Sequence, residues 1–125
     1  GALEIARPHG NRLRLRLRLL RPRQLARHLE RHDAALCWAD RRSRPITPLW
    51  TTASWGYLRL HEGRAKPWPH YGRAVLRTWV QRIAQAKLDV TYVYFNNDPG
   101  GAAIDDARTF ARAARSAGLD VGRFG

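Results

Sequence analysis

Residues 91–107, Thr-Tyr-Val-Tyr-Phe-Asn-Asn-Asp-Pro-Gly-Gly-Ala-Ala-Ile-Asp-Asp-Ala, constrain the fold of this chain more than any other stretch. Val90, Tyr92, Val93, Tyr94 and Phe95 are β-branched or aromatic, and only Thr91 interrupts them. Such a run reads as a parallel strand covered on both faces. Asn96, Asn97 and Asp98 put three short polar side chains at its carboxyl end, and Pro99, Gly100 and Gly101 turn the chain. Asp105 and Asp106 fall in the first turns of the next helix, where negative charge suits the dipole. Ligands of α/β folds bind at the carboxyl ends of parallel strands, which makes Asn96 and Asn97 candidates for a binding site. The same amides also suit helix capping and loop backbone, and the residues alone leave both roles open.

The preceding chain extends the pattern. Trp55–Leu60 alternates, with Tyr57, Arg59 and His61 on one face and Leu58 and Leu60 on the other. Arg73–Lys87 carries Val75, Leu76, Trp79, Val80 and Ile83 on one stripe and predicts a helix. A further helix is expected over about residues 102–117, with Ala103, Ala107, Phe110, Ala111 and Ala114 buried and Gly118 as its C-cap. Upstream, Ala34–Ala39 reads as a buried strand ending at Asp40, and residues 41–48 as an exposed loop. Pro22 suits a helix start, and Arg23–Arg31 is amphipathic through Leu25, Ala26 and Leu29. Ala2–Ile5 is a short candidate strand with Glu4 near its end. The order is strand, helix, strand, strand, helix, strand, helix. That is an α/β chain with about four mostly parallel strands and flanking helices. Four strands cannot close a (β/α) barrel. At 125 residues the whole chain, 1–125, fits one domain.

Charge bears on partners. Lys and Arg total 23 against 10 acids, a formal +13, nearly all of it Arg. This raises affinity for polyanions whatever the fold. Arg12–Arg18 alternates with Leu, as in a strand with one cationic face; a solvated edge or an unstructured segment fits equally. A basic nucleic-acid-binding module would use Arg12–Arg31 for phosphates and Trp50, Trp55, Trp68 and Tyr71 for stacking, with nonspecific, salt-sensitive binding. Core or loop packing explains the same aromatics. No apolar run reaches membrane-span length and no signal peptide opens the chain, so no membrane partner and a cytoplasmic location are expected. The single Cys37 sits in an apolar run and reads as a packed thiol. His28 and His32 lack a third ligand, so no metal and no cofactor are expected.

Tyr57-Leu58-Arg59-Leu60-His61 with Gly63, then Tyr71, Leu76 and Trp79, then Tyr92–Asn97, Gly101-Ala102 and Asp106-Ala107 follow one another with regular gaps. Together they resemble the YecE-like family, domain of unknown function seventy-two. Arg31–Asp40 resembles the helix end and strand that precede this block. The resemblance implies a TIM barrel of about twice this length, of which the chain is the carboxyl-terminal half, a partial (β/α) barrel. Two departures stand out. Glu62 is inserted between His61 and Gly63, and the Leu-Arg alternation replaces the family's connection after the first strand, leaving residues 6–25 atypical.

The family has no established activity, so the site is argued from its residues. Arg59 suits an anionic group such as phosphate or carboxylate. His61 is the candidate acid–base group. Asn96, Asn97 and Tyr57 would contact the ligand, and Asp40 and Glu4 are further candidate bases or metal ligands. An internal hydrogen-bond layer filling a barrel is the alternative for Arg59 and His61. Two other outcomes stay open: the nucleic-acid module, and an inactive truncated chain that self-associates to cover its exposed half-barrel edges.

Overall fold

The computed structural model describes residues 21–122. The expected strand at Ala2–Ile5, the candidate Glu4 and the Leu-Arg alternation lie outside these residues. Helix α1 spans Pro22–Arg31, β1 Trp38–Arg41, β2 Arg44–Pro45, β3 Trp55–Leu60, α2 Arg73–Ala86, β4 Val90–Phe95 and α3 Ala102–Ser116, with a short 3-10 turn at Pro99–Gly101. The sheet order is β2-β1-β3-β4; β1, β3 and β4 run parallel, and β2 is antiparallel to β1. This is a mostly parallel α/β sheet.

The positions of two strands depart from the sequence reading. The strand expected at 34–39 is shifted to Trp38–Arg41, with only a single bridge upstream at Leu36. The cause lies in Thr52 and Thr47. Thr52 Oγ accepts the Leu36 amide (3.2 Å) and donates to the Ala34 carbonyl (2.6 Å), and Thr47 Oγ takes the Ala39 amide at 3.0 Å. Side chains thus stand where a neighbouring strand would bond. The loop expected at 41–48 folds back as β2 through a two-residue turn in which Arg42 and Ser43 both have positive φ, the hairpin geometry of a twisted sheet.

Leu58 and Leu60 of β3 and Trp38 of β1 point to one face, where Leu76, Trp79 and Val80 of α2 and Phe110 and Ala114 of α3 close over them. The apolar spacing of α2 lands on this layer as expected. In α3, Phe110 and Ala114 are buried as expected, but Ala103, Ala107 and Ala111 are only half-buried; the buried line continues instead through Ala102 and Asp106 and so includes a carboxylate.

Among the described residues, the second face is only partly covered. β4 was expected to be enclosed on both sides, yet Val90 and Tyr94 are 43% and 40% exposed. Trp55 and Tyr92 meet edge-on at 6.2 Å, and Tyr57 and Tyr94 lie tilted to one another at 5.1 Å, forming an aromatic surface on this side. Val93 and Phe95 point the other way into the core, Phe95 against Phe110 at 5.7 Å. Alternation holds throughout the strand; the layer that would cover its even-numbered side chains is not among the described residues.

Candidate functional site

Parallel register decides what meets at the carboxyl rim. Ala39 pairs with Arg59 and Arg59 with Tyr94, so these three point to the face opposite the helices. One step further along, the ladder continues through His61 N to Asp40 O (3.0 Å) and Asn96 N to Leu60 O (2.9 Å). Two residues beyond Ala39, Arg59 and Tyr94 come Arg41, His61 and Asn96, which therefore form the last row of that face.

From the row before it, Arg59 donates Nε to Oδ1 of Asn96 at 3.0 Å. Both side chains are exposed. The bond fixes the plane of the guanidinium. Its two terminal nitrogens have no partner among the described residues. Tyr57 lies two residues before Arg59 on the same face, its ring against Tyr94.

Partial burial pushes the His61 pKa down, and the positive charges of Arg59 and then Arg41 push it further; Asp40 and Glu62 oppose this more weakly. The imidazole is therefore neutral at neutral pH, in a locally positive field. Arg41 was not among the sequence candidates. Its signal was available, since alternation from Ala39 puts it on the Arg59 face.

Asp40 and Asn97 do not join this row. Asp40 is fully buried on the helix side, where its Oδ2 accepts the Trp79 indole N–H at 2.8 Å. Burial raises its pKa, and the indole bond only partly offsets that. The Tyr71 hydroxyl donates to its main-chain carbonyl at 3.4 Å. Asn97, 1% exposed, donates Nδ2 to Asp106 Oδ2 at 2.7 Å and to the Pro69 carbonyl at 3.2 Å. The same Asp106 oxygen accepts the Tyr71 amide at 2.9 Å. These two side chains hold the strand ends and the 64–72 loop onto α2 and α3. The expected gathering of arginine, imidazole and both amides is corrected to arginine, imidazole and one amide.

Among the aromatics considered for stacking, Tyr71 is core, and Trp50 and Trp55 are half-buried: the Trp50 carbonyl accepts the Trp38 indole N–H, and Trp55 donates its own indole N–H to the Asp33 carbonyl. Trp68 alone is well exposed, at 60%. No cluster of three His, Cys, Asp or Glu side chains suited to a metal exists among the described residues. None of their helices is long and apolar enough to cross a membrane.

The model of a protein family described as "Protein of unknown function DUF72" matches residues 18–122. A DUF72 family protein of Enterococcus faecalis superposes with a TM-score of 0.64 at 17% identity, over 82% of this chain and 44% of its own. One from Thermotoga maritima gives 0.58 at 21% identity, over 73% and 40%. The chain thus spans less than half the length of either solved relative, and the likeness carries the fold, consistent with part of a TIM-like barrel. No protein of curated function matches it. With the family model covering the strands, the rim and both packed helices, this chain belongs to the DUF72 family.

Proposed function

We propose that the carboxyl rim of β3 and β4 binds an anionic group, a phosphoryl or carboxylate, on the Arg59 guanidinium. The observation that supports this is the Arg59–Asn96 bond. It occupies Nε and leaves the terminal nitrogens as a preset fork, the geometry that suits two oxygens of one anion. Asn96, through its amide nitrogen, would orient a second oxygen or a hydroxyl. Tyr57 and Tyr94 would form the floor beneath the ligand. His61, neutral until an anion arrives, is the acid–base group of this reading. Glu4 stays a candidate base, and Asp40 and Asn97 act only by holding the rim from below.

The test is binding of inorganic phosphate and a sugar phosphate, by calorimetry and thermal shift. Arg59→Ala should weaken binding by about ten-fold or more, the scale of a lost charge-assisted hydrogen bond. Undiminished binding by that variant sinks the reading.

A second reading is favoured by the outer edge of β4, which has no strand partner among the described residues, beside exposed Val90 and Tyr94. Open edges and apolar faces invite pairing. We infer that a second copy of the chain covers this edge and completes the pocket wall. Sedimentation tests it: a 14.3 kDa species at every concentration rules self-association out.

A further inference from the structure

We propose that the 63–70 loop is a base-stacking platform and that the rim around it binds single-stranded nucleic acid, with a base on Trp68 and phosphodiesters on the neighbouring arginines. The proposal rests on the phosphate reading of Arg59 and extends it to a substrate class.

The loop is firmly built. Gly63 N bonds Pro69 O at 2.9 Å, Ala65 N bonds His70 O at 2.8 Å, and His70 N bonds Pro67 O at 3.1 Å. A Cβ on Gly63 would overlap the His70 carbonyl, so the two arms of the loop touch backbone to backbone. Pro69 is fully buried, and Asn97 holds its carbonyl. Yet this well-anchored turn leaves Trp68 60% exposed at its tip. An indole presented to water on an anchored backbone suits a ring that must receive another ring, because the backbone entropy of its loop is already reduced.

The surroundings are cationic. Arg64 N bonds Ser43 Oγ at 3.2 Å and Arg42 N bonds Glu62 O at 2.8 Å, which stitches the β1–β2 hairpin to the start of the loop. Arg41, Arg42, Arg44, Arg59, Arg64 and Lys66 thus come from adjoining segments of one rim. All six are exposed, and none has a carboxylate within ion-pair distance among the described residues. Among the described residues, Glu62 is the acid beside the hairpin that is not turned into the core, and Asp105 is engaged by His70 at the far end of the loop. One phosphate on Arg59 leaves the other five charges and the indole unused. A chain of phosphates with π-faced bases between them engages both, and interleaved cations and exposed rings are how sequence-tolerant single-strand binding works. Duplex bases are already stacked and offer no free face to one indole.

The experiment uses the full chain and a labelled oligothymidylate of about 12 nucleotides, followed by anisotropy across salt concentrations. Trp68→Leu should weaken oligonucleotide binding about ten-fold and leave binding of inorganic polyphosphate unchanged. The double variant Arg42→Gln/Arg64→Gln should reduce the salt slope by about 1.4, at about 0.7 per phosphate contact on a single strand. The Arg-rich stretch before residue 21 is common to all variants, so it cancels in these comparisons. Wild-type affinity in Trp68→Leu, or a matched duplex bound as tightly as the single strand, overturns the platform. Arg59→Ala with inorganic phosphate is a separate arm. If it binds phosphate normally while Trp68→Leu still loses the oligonucleotide, the anion site falls and the stacking platform stands; the reverse pattern leaves only the anion site.

Discussion

Asn97 Nδ2 lies 2.7 Å from Asp106 Oδ2, and that oxygen also accepts the Tyr71 amide at 2.9 Å. One carboxylate on α3 therefore fixes the end of β4 and the loop that follows β3. A buried group that loses its partner bears the full desolvation cost. Asn97→Ala should destabilise the chain by about 1–3 kcal/mol, read from urea midpoints, and Asp106→Ala by at least as much. The double variant should cost less than the sum, since both remove one interaction. Strict additivity would show that the bond contributes nothing of its own.

Lys87 ends α2 in the left-handed region at φ 52°, as Gly118 does after α3 at φ 82°. Each is followed by Leu-Asp-Val, residues 88–90 and 119–121. The same junction is thus built twice, once with the residue that suits it and once without. A side chain in that region costs about 1 kcal/mol, partly recovered here because glycine also frees the unfolded chain. Lys87→Gly should raise stability by roughly 0.5 kcal/mol by chemical denaturation. A lowered midpoint would mean that the lysine stem makes a packing contribution larger than the strain.

β3, β4, both packed helices and the Arg59 face were legible because period-two and period-3.6 patterns reach their full length there. At strand ends the pattern stops constraining. Asn96 and Asn97 look equivalent in the sequence, yet adjacent residues point to opposite faces, so one amide meets Arg59 and its neighbour meets Asp106. Asp40 was misplaced for a related reason. With the strand taken to end at Ala39, nothing fixed its direction; with β1 running to Arg41, it shares the side of Trp38 and meets Trp79. Asp106 looked like a dipole-matching acid because no local rule reveals that an amide 9 residues earlier will need an acceptor. Trp68 carried no pattern at all, since its exposure is set by backbone contacts between the two arms of its loop.

His70 joins the same loop to α3. Its Nδ1 lies 2.6 Å from the Pro67 carbonyl and its Nε2 3.3 Å from Asp105 Oδ2. The Pro67 contact and then the Asp105 contact raise its pKa. A raised folded-state value means the folded chain holds the proton more tightly. The resulting stability is fully present below about pH 6.5 and is lost as pH rises through the raised value. Asp105→Asn should therefore lower the urea midpoint at about pH 6 and converge with wild type at alkaline pH. Equal midpoints at both ends of that range would show that the contact does not outlast solvent screening.

His61 responds in the opposite sense. Burial first, then Arg59 and Arg41, hold its pKa below the ordinary value. In the folded chain it gives up its proton before an unfolded histidine does, so protonation opposes folding as pH falls below about 6.5. An anion seated on Arg59 cancels part of the positive field and stabilises the imidazolium. Saturating phosphate should move the His61 titration, followed by its imidazole NMR resonances, toward higher pH. Arg59→Ala should raise the pKa without phosphate, because one of the opposing charges is gone, and should abolish the further shift when phosphate is added. Burial remains in that variant, so the value should stay below that of an exposed histidine. Phosphate affinity in the wild type should correspondingly strengthen as pH falls through the His61 transition, by the same factor that links the two pKa values. A His61 titration indifferent to saturating phosphate would place the bound anion away from this row.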